Sequence, residues 1–201
     1  MGGVEILVQL MMGVGLAASA GFRAFLPTLA VGLLARTGFL ELNSSVEFLT
    51  RTDVLAVLAV ATFVEFLGDK IVVVDHLLDT VGTVVRPAAG TLLASSVLLG
   101  LDPFMAAMLG LVTGGATSLA VHSGKAALRA GTTSLLPVHG GIGNTLVSII
   151  EDVLSVVGVG LAVFVPALAF IFAVGLVVGG VVLLKKGVRA GRKMFSPSPQ
   201  I

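Results

Sequence analysis

The stretch from Val153 to Leu184, VLSVVGVGLAVFVPALAFIFAVGLVVGGVVLL, contains 32 residues and not one charge. A helix needs about 20 apolar residues to cross the hydrocarbon core of a bilayer. The stretch exceeds one crossing, and Pro166 divides it, since a proline inside a helix removes a backbone hydrogen bond. We expect either one very long helix or a helical hairpin here. The hairpin is favoured because its first helix can begin earlier, near Asn144.

The composition of the whole chain has the same apolar character. Of the 201 residues, 56% are hydrophobic and 11% are charged, and the mean hydropathy is +1.11. Soluble domains carry about 25% charged residues, so this composition predicts a polytopic membrane protein. The net charge of +1 gives no case for nucleic-acid binding. The absence of cysteine excludes disulfides, thiolate metal sites and cysteine catalysis.

Apolar segments separated by polar or proline-containing breaks predict an all-α membrane bundle of about six spans. The first segment runs from Val4 to Leu34, and Arg23 and Pro27 interrupt it. This pattern predicts a long kinked helix or a helix broken near Gly21. The later spans are expected to begin near Val54, Pro87, Phe104, Asn144 and Pro166.

The C-terminal segment KKGVRAGRK contains five basic residues, and Lys and Arg are enriched in cytoplasmic loops. We therefore expect one transmembrane domain over residues 1–190 and a cytoplasmic tail over 191–201, with six spans placing both termini inside. The similarity of ASAGFRAFLP to AVHSGKAALRAG suggests two inverted three-helix halves, about 1–101 and 103–190. Inverted repeats with a site between them recur in transporters. The alternative is a plain six-helix bundle without internal symmetry.

Charged residues gather between Val64 and Pro87, in VEFLGDKIVVVDHLLDTVGTVVRP. A charge at the centre of a membrane helix costs about 2.5–3.5 kcal/mol on insertion scales, so such groups are expected to face the protein interior. Arg23 lies well inside the first span. We expect it to be buried and to pair with a carboxylate of the second span, Glu65 or Asp69.

A second set of charges lies in the C-terminal half. Lys125 shares a helix face with His122, and its expected partners are Glu151 and Asp152. The predicted substrate or ion site comprises eight residues: Arg23, Glu65, Asp69, Lys70, His122, Lys125, Glu151 and Asp152.

The motif DHLLD allows two further interpretations. Asp75 and Asp79 stand four residues apart on one helix face, and carboxylates at this spacing bind Mg²⁺ in membrane transferases that use pyrophosphate-bearing substrates. Such enzymes usually need more acidic residues on facing helices. Asp75, His76 and Asp79 also fit a solvated turn at the cytoplasmic face, where they would have no chemical role.

Five segments of the chain, taken together, resemble a known family: GLAASAGFRAFLP, EFLGDK, DHLLDTVGTVVRPAAGTLLA, HSGKAALR and SIIEDVLSV. The combination is similar to the bacterial membrane family catalogued as domain of unknown function 4126. The resemblance extends from about Leu10 to Leu168. It implies a multi-pass protein of the bacterial inner membrane and implies no activity.

Three functions follow from these observations as hypotheses. The favoured one is a small transporter or channel-like protein with a polar intramembrane site for an anion, a proton or a lipid head group. The others are a metal-dependent membrane enzyme acting on a lipid-linked phosphate, and a structural lipid-binding protein. The sequence predicts no cofactor and no catalytic residue. The expected partners are membrane lipids and a small anion or proton, without nucleic acid, and self-association stays open.

Overall fold

The computed structural model describes the backbone of residues 2–68, 71–135 and 142–194, with side chains at 2–68, 71, 74, 77–127 and 148–185. This part of the chain is helical and contains no strand, as predicted. A 3-10 helix, Ser44–Thr50, precedes the third α-helix, and a π-helical turn, Gly110–Gly115, joins the fifth to the sixth. The α-helices of the described residues are α1 Gly3–Phe22, α2 Phe25–Arg36, α3 Thr52–Gly68, α4 Val72–Ser96, α5 Pro103–Leu109, α6 Ala116–Leu135, α7 Ile142–Phe164 and α8 Pro166–Met194.

Helix α1 lies at the centre of the bundle and packs against α4, α6, α7 and α8. Its C-terminal residues, from Leu16 to Phe22, are all buried. Apolar side chains from α1, α2, α4, α7 and α8 form the main core: Leu16, Ala20, Val31, Leu93, Val97, Val159, Ala162 and Ala169.

Small residues set the distance between helices at the crossings. A Cβ atom added to Gly15 of α1 would lie 2.6 Å from the Cβ of Ala169 in α8. At the crossing of α6 and α8, a Cβ on Gly124 would lie 2.7 Å from the Cα of Gly180. Glycine at such positions lets two helix backbones approach closely, which is the usual packing mode of membrane helices.

The chain reverses direction between α1 and α2. Val31 of α2 packs beside Leu16 of α1 in the core. Beyond α2, the amide of Asn43 donates a hydrogen bond of 2.7 Å to the carbonyl of Ser96, at the end of α4. Helix α2 therefore runs back along α1. Of the two predicted alternatives, a kinked helix and a helix broken near Gly21, the structure has the broken helix, and the two parts form a hairpin. The 12 residues of α2 are about 18 Å long, against about 30 Å for the hydrocarbon core.

The remaining helices continue to alternate in direction. Helix α4 is antiparallel to α1, because Ala94 lies beside Gly13 while Arg86 donates to the carbonyl of Gly21. The α5–α6 helix is in turn antiparallel to α4, and α7 and α8 pack as the favoured hairpin, joined at Val165.

This alternation places the two ends of the described chain on opposite sides of the bundle. We call the end where α1 begins the head end, and the end where α8 finishes the tail end. The finding contradicts the expectation that both termini share one side, because the α1–α2 hairpin adds a reversal that the sequence did not reveal. Residues 195–201 of the predicted tail lie outside the described residues.

Three helical segments of the described chain are long and apolar enough to cross a membrane. They are Gly3–Phe22, Pro103–Ala127 and Pro166–Lys185. The count of six spans stays a prediction.

The structure does not support two inverted halves. Helices α1 and α6 are both antiparallel to α4, so they run in the same direction, toward the tail end. Arg23 follows the end of a helix, whereas Lys125 lies within the continuous helix α6. The two similar segments therefore differ in local structure.

Candidate functional site

The break between α1 and α2 is the structural centre of the site. Helix α1 ends at Phe22, Arg23 has extended backbone angles (φ −136°, ψ 125°), and α2 begins at Phe25. The first backbone amides of a helix have no partner within it. Here the Glu65 carboxylate of α3 accepts hydrogen bonds from the amides of Ala24 (3.1 Å) and Phe25 (3.3 Å). A negative group at this position also favours the helix dipole.

The Arg23 side chain points into the protein and is 1% exposed. Its Nε atom lies 2.7 Å from the Asp152 carboxylate of α7. One terminal nitrogen donates to the carbonyl oxygen of Glu65 at 3.2 Å, and the other donates to the Ser148 hydroxyl at 2.9 Å. Arg23 thus ties the helix break to both α3 and α7.

Arg86 of α4 is a second buried cation, 2% exposed. It lies 3.5 Å from the Asp79 carboxylate and 4.0 Å from that of Glu65. Its Nη1 atom is 2.8 Å from Nδ1 of His122 in α6. A guanidinium nitrogen can only donate, so Nδ1 accepts and the imidazole is neutral. Its Nε2 atom then carries the proton, 3.5 Å from the Thr83 hydroxyl.

Lys125 of α6 is the third buried cation. Its Nζ atom lies 2.7 Å from the Glu151 carboxylate of α7 and 3.7 Å from that of Asp79. Asp79 is therefore shared between two cations, Arg86 and Lys125.

These contacts form one connected set, which we call the charge ring, joined through the backbone at the Glu65 carbonyl and between the sequence neighbours Glu151 and Asp152. Its members belong to four helices, α3, α4, α6 and α7, and to the α1–α2 break. Asp152 and Asp79 are its most exposed members, at 20% and 28% of the side chain. Among the described side chains, four carboxylates stand against three cations. The ring consists of Arg23, Asp152, Glu151, Lys125, Asp79, Arg86 and Glu65.

The ring brings together most of the site predicted from the sequence. Arg23 is buried as expected. Among the described carboxylates, that of Asp152 in α7 lies 2.7 Å from Arg23, and Glu65 of the second span accepts through its backbone carbonyl. The expected pairing of Arg23 with Asp69 stays a prediction. Lys125 meets Glu151, as expected. His122 lies beside Arg86. Asp69 and Lys70 lie outside the described residues.

The magnesium hypothesis for DHLLD finds no support among the described residues, which contain no group of three or more His, Asp or Glu placed to hold a metal ion. Asp79 faces Arg86 and Lys125 instead. The side chain of Asp75 lies outside the described part.

Two members of the site were absent from the predicted set. Arg86 had a usable signal, since it shares a helix face with Asp79 and Gly82 at spacings of three and four residues. Ser148 had none, because a serine in an apolar helix is common and its role depends on Arg23, 125 positions away.

A cavity of about 400 Å³ opens beside the ring, between α2, α3 and α7. Its walls are mainly apolar, and three charged side chains, Arg23, Glu65 and Asp152, form its polar part. We call this cavity the groove. Its other lining residues are Leu26, Leu29, Ala59, Thr62, Phe63 and Phe66.

Residues 10–186 match the family model described as domain of unknown function (DUF4126), and the chain belongs to this family. The match confirms the resemblance seen in the sequence and includes every member of the charge ring. No curated protein and no solved structure matches the chain.

Proposed function

We propose that the chain is an integral membrane protein, multi-pass in a bacterial inner membrane, with lipids as its immediate partners. Apolar side chains on the outer surface support this. On α3, Val57 is 68% exposed and Phe63 is 60% exposed, while Ile171 of α8 is 66% exposed. Such residues are unfavourable in water and suit contact with lipid.

The tail end of the bundle faces the cytoplasm in this proposal. Five basic residues lie from Lys185 to Lys193, where α8 approaches its end. Two, Arg36 and Arg51, lie in the connection between α2 and α3 at the head end. The bias of Lys and Arg toward cytoplasmic segments then gives the orientation.

Within the membrane, the charge ring is the proton- or cation-binding site of a small transporter or channel-like protein. The observation that carries this is the gathering of four buried or partly buried carboxylates and three cations in one place, with two of the carboxylates, Asp152 beside the groove and Asp79 on α4, partly exposed. Chains of carboxylates and histidines inside membranes are the usual carriers of protons in pumps and transporters. Asp79 suits a switching role, because protonating it would weaken its attraction to both Arg86 and Lys125.

An anion is a poorer ligand for this site than a proton or a cation. The Arg23 and Lys125 cations each lie 2.7 Å from a carboxylate, so an anion would have to displace Asp152 or Glu151. It would also add to the excess of carboxylates among the described side chains of the ring.

The test is proton movement in liposomes that contain the purified protein and a pH-sensitive dye. The membrane voltage is clamped with potassium and valinomycin, and a pH gradient is applied. We expect faster pH equilibration than in protein-free liposomes, and a return to the protein-free rate for Asp79→Asn and Asp152→Asn. The control is Asp53→Asn, since Asp53 forms an exposed ion pair with Arg51 at 2.7 Å.

Two results would refute the proposal. Wild-type protein that equilibrates pH no faster than protein-free liposomes would exclude proton passage. Asp79→Asn protein that is folded and as fast as wild type would reduce the ring to a structural ion-pair network.

A further inference from the structure

The groove combines mainly apolar, partly aromatic walls with a charged polar part. Its walls include two aromatic side chains, Phe63 and Phe66, which are 60% and 40% exposed. Its polar part is formed by charged members of the ring, Arg23, Glu65 and Asp152. A volume of about 400 Å³ falls in the range of cavities that hold small organic ligands.

The charged residues that line the groove favour a ligand of one sign of charge. Two carboxylates, Glu65 and Asp152, stand beside one guanidinium, Arg23. Asp152 keeps 20% of its side chain exposed while it pairs with Arg23, and it is one of the residues that line the groove. This arrangement attracts a cation and repels an anion. Phe63 and Phe66 line the same groove, and an aromatic ring attracts a cation placed over its face.

The position of the groove indicates how a ligand reaches it. Helix α3 packs mainly on α2, with few contacts to α4 and the preceding 3-10 helix. Only Leu55, Glu65 and Gly68 of this helix are buried. A groove between α2 and α3 is thus bordered by surfaces suited to lipid, and a ligand dissolved in the bilayer can enter it sideways.

We propose that the groove binds a hydrophobic monovalent cation, with its charge against Asp152 and Glu65 and its apolar part between Leu26, Leu29 and Phe63. The inference deepens the proposed function, since it names the class of substrate that the transporter would carry.

The experiment uses two ions of nearly the same shape and opposite charge, tetraphenylphosphonium and tetraphenylborate. Binding of each to the purified protein in lipid nanodiscs is measured by equilibrium dialysis, with empty nanodiscs as the blank. We expect saturable binding of tetraphenylphosphonium and none of tetraphenylborate. Asp152→Asn should weaken tetraphenylphosphonium binding about tenfold, a loss of roughly 1.4 kcal/mol.

A second variant keeps the test decisive if Asp152→Asn does not fold. Ala59→Trp places a large side chain in the groove without changing the charge ring, and should abolish binding. Ala88→Trp, at an exposed position of α4 outside the groove lining, is the matched control and should bind normally.

Three outcomes would overturn the inference: no saturable binding of tetraphenylphosphonium, binding of tetraphenylborate with equal or higher affinity, or unchanged binding in Ala59→Trp. The proton experiment and the cation-binding experiment test different claims. Proton movement without cation binding leaves the proposed function standing and removes only the hydrophobic cation as its substrate. Cation binding without proton movement excludes proton passage and leaves the groove as a cation-binding site.

Discussion

Arg23 lies in extended backbone between two helices, and its guanidinium is enclosed by Asp152, Ser148 and the carbonyl of Glu65. An uncompensated buried charge is costly, so these contacts stabilise the helix break. Arg23 is the residue at which the chain reverses between α1 and α2. Groups from α3 and α7 compensate its charge, and these contacts stabilise the α1–α2 hairpin.

Removing the partner of Arg23 should therefore destabilise the protein strongly. Breaking a buried ion pair by deleting one member costs about 3–5 kcal/mol. We expect Asp152→Asn to lower the thermal unfolding temperature in detergent by many degrees, while Asp53→Asn, in an exposed pair with Arg51, leaves it almost unchanged. Equal and small shifts for the two variants would show that the buried pair is not stabilising.

Glu65 has a different role, because its carboxylate accepts from the amides of Ala24 and Phe25 at the start of α2. Glu65→Gln keeps one acceptor oxygen, whereas Glu65→Leu leaves both amides without this acceptor. Unsatisfied buried groups cost about 1–3 kcal/mol each. Unfolding temperatures should fall in the order wild type, Glu65→Gln, Glu65→Leu. If the leucine variant were as stable as the glutamine variant, the capping interpretation would be wrong.

At the scale of elements, the helices approach one another through glycines, and this spacing allows charged side chains from several helices to meet. Gly124, the residue before Lys125 in α6, lies against Gly180 of α8. Close contact here holds α6 in the position from which Lys125 reaches Glu151.

A methyl group at this crossing should be poorly tolerated. The added Cβ of Gly124→Ala would lie 2.7 Å from the Cα of Gly180, and neither backbone can move aside easily. Overpacking of this kind typically costs about 1–3 kcal/mol. Gly179→Ala is the matched control on α8, since a Cβ there meets nothing within 4 Å. The measurement is thermal unfolding of both variants, and equal stability would contradict the close approach.

At the scale of the whole molecule, the number of chain reversals decides the sidedness of the termini. The described helices alternate so that α1 begins at the head end and α8 finishes at the tail end. The cytoplasmic orientation proposed for the basic segment then places the N-terminus on the other side of the membrane.

Reporter fusions test this arrangement directly. A reporter active only in the cytoplasm should be active at the C-terminus and silent at the N-terminus, and a reporter active only outside should give the opposite pattern. Fusion at the connection between α2 and α3, near Glu47, serves as an internal control and should behave as the N-terminus does. Identical behaviour of the two termini would rule out the α1–α2 hairpin within the membrane.

The sequence by itself determined the family and the all-α fold with long apolar helices, and it predicted the burial of Arg23. The uncharged stretch from Val153 to Leu184 requires apolar surroundings, and Pro166 cannot continue a helix without losing a hydrogen bond, so both features are readable locally. The burial of Arg23 follows in the same way from the cost of a charge among apolar residues.

Only the tertiary structure decided which charges meet and which way the helices run. Among the described side chains, Arg23 meets the carboxylate of Asp152, while Glu65 caps α2 and α7 crosses beside the break. The reversal after Arg23 was likewise hidden, since a proline permits a kink, a break or a hairpin equally well. The choice depends on the packing of α2 against α3 and α7, and no local pattern encodes contacts with a helix as far along the chain as α7.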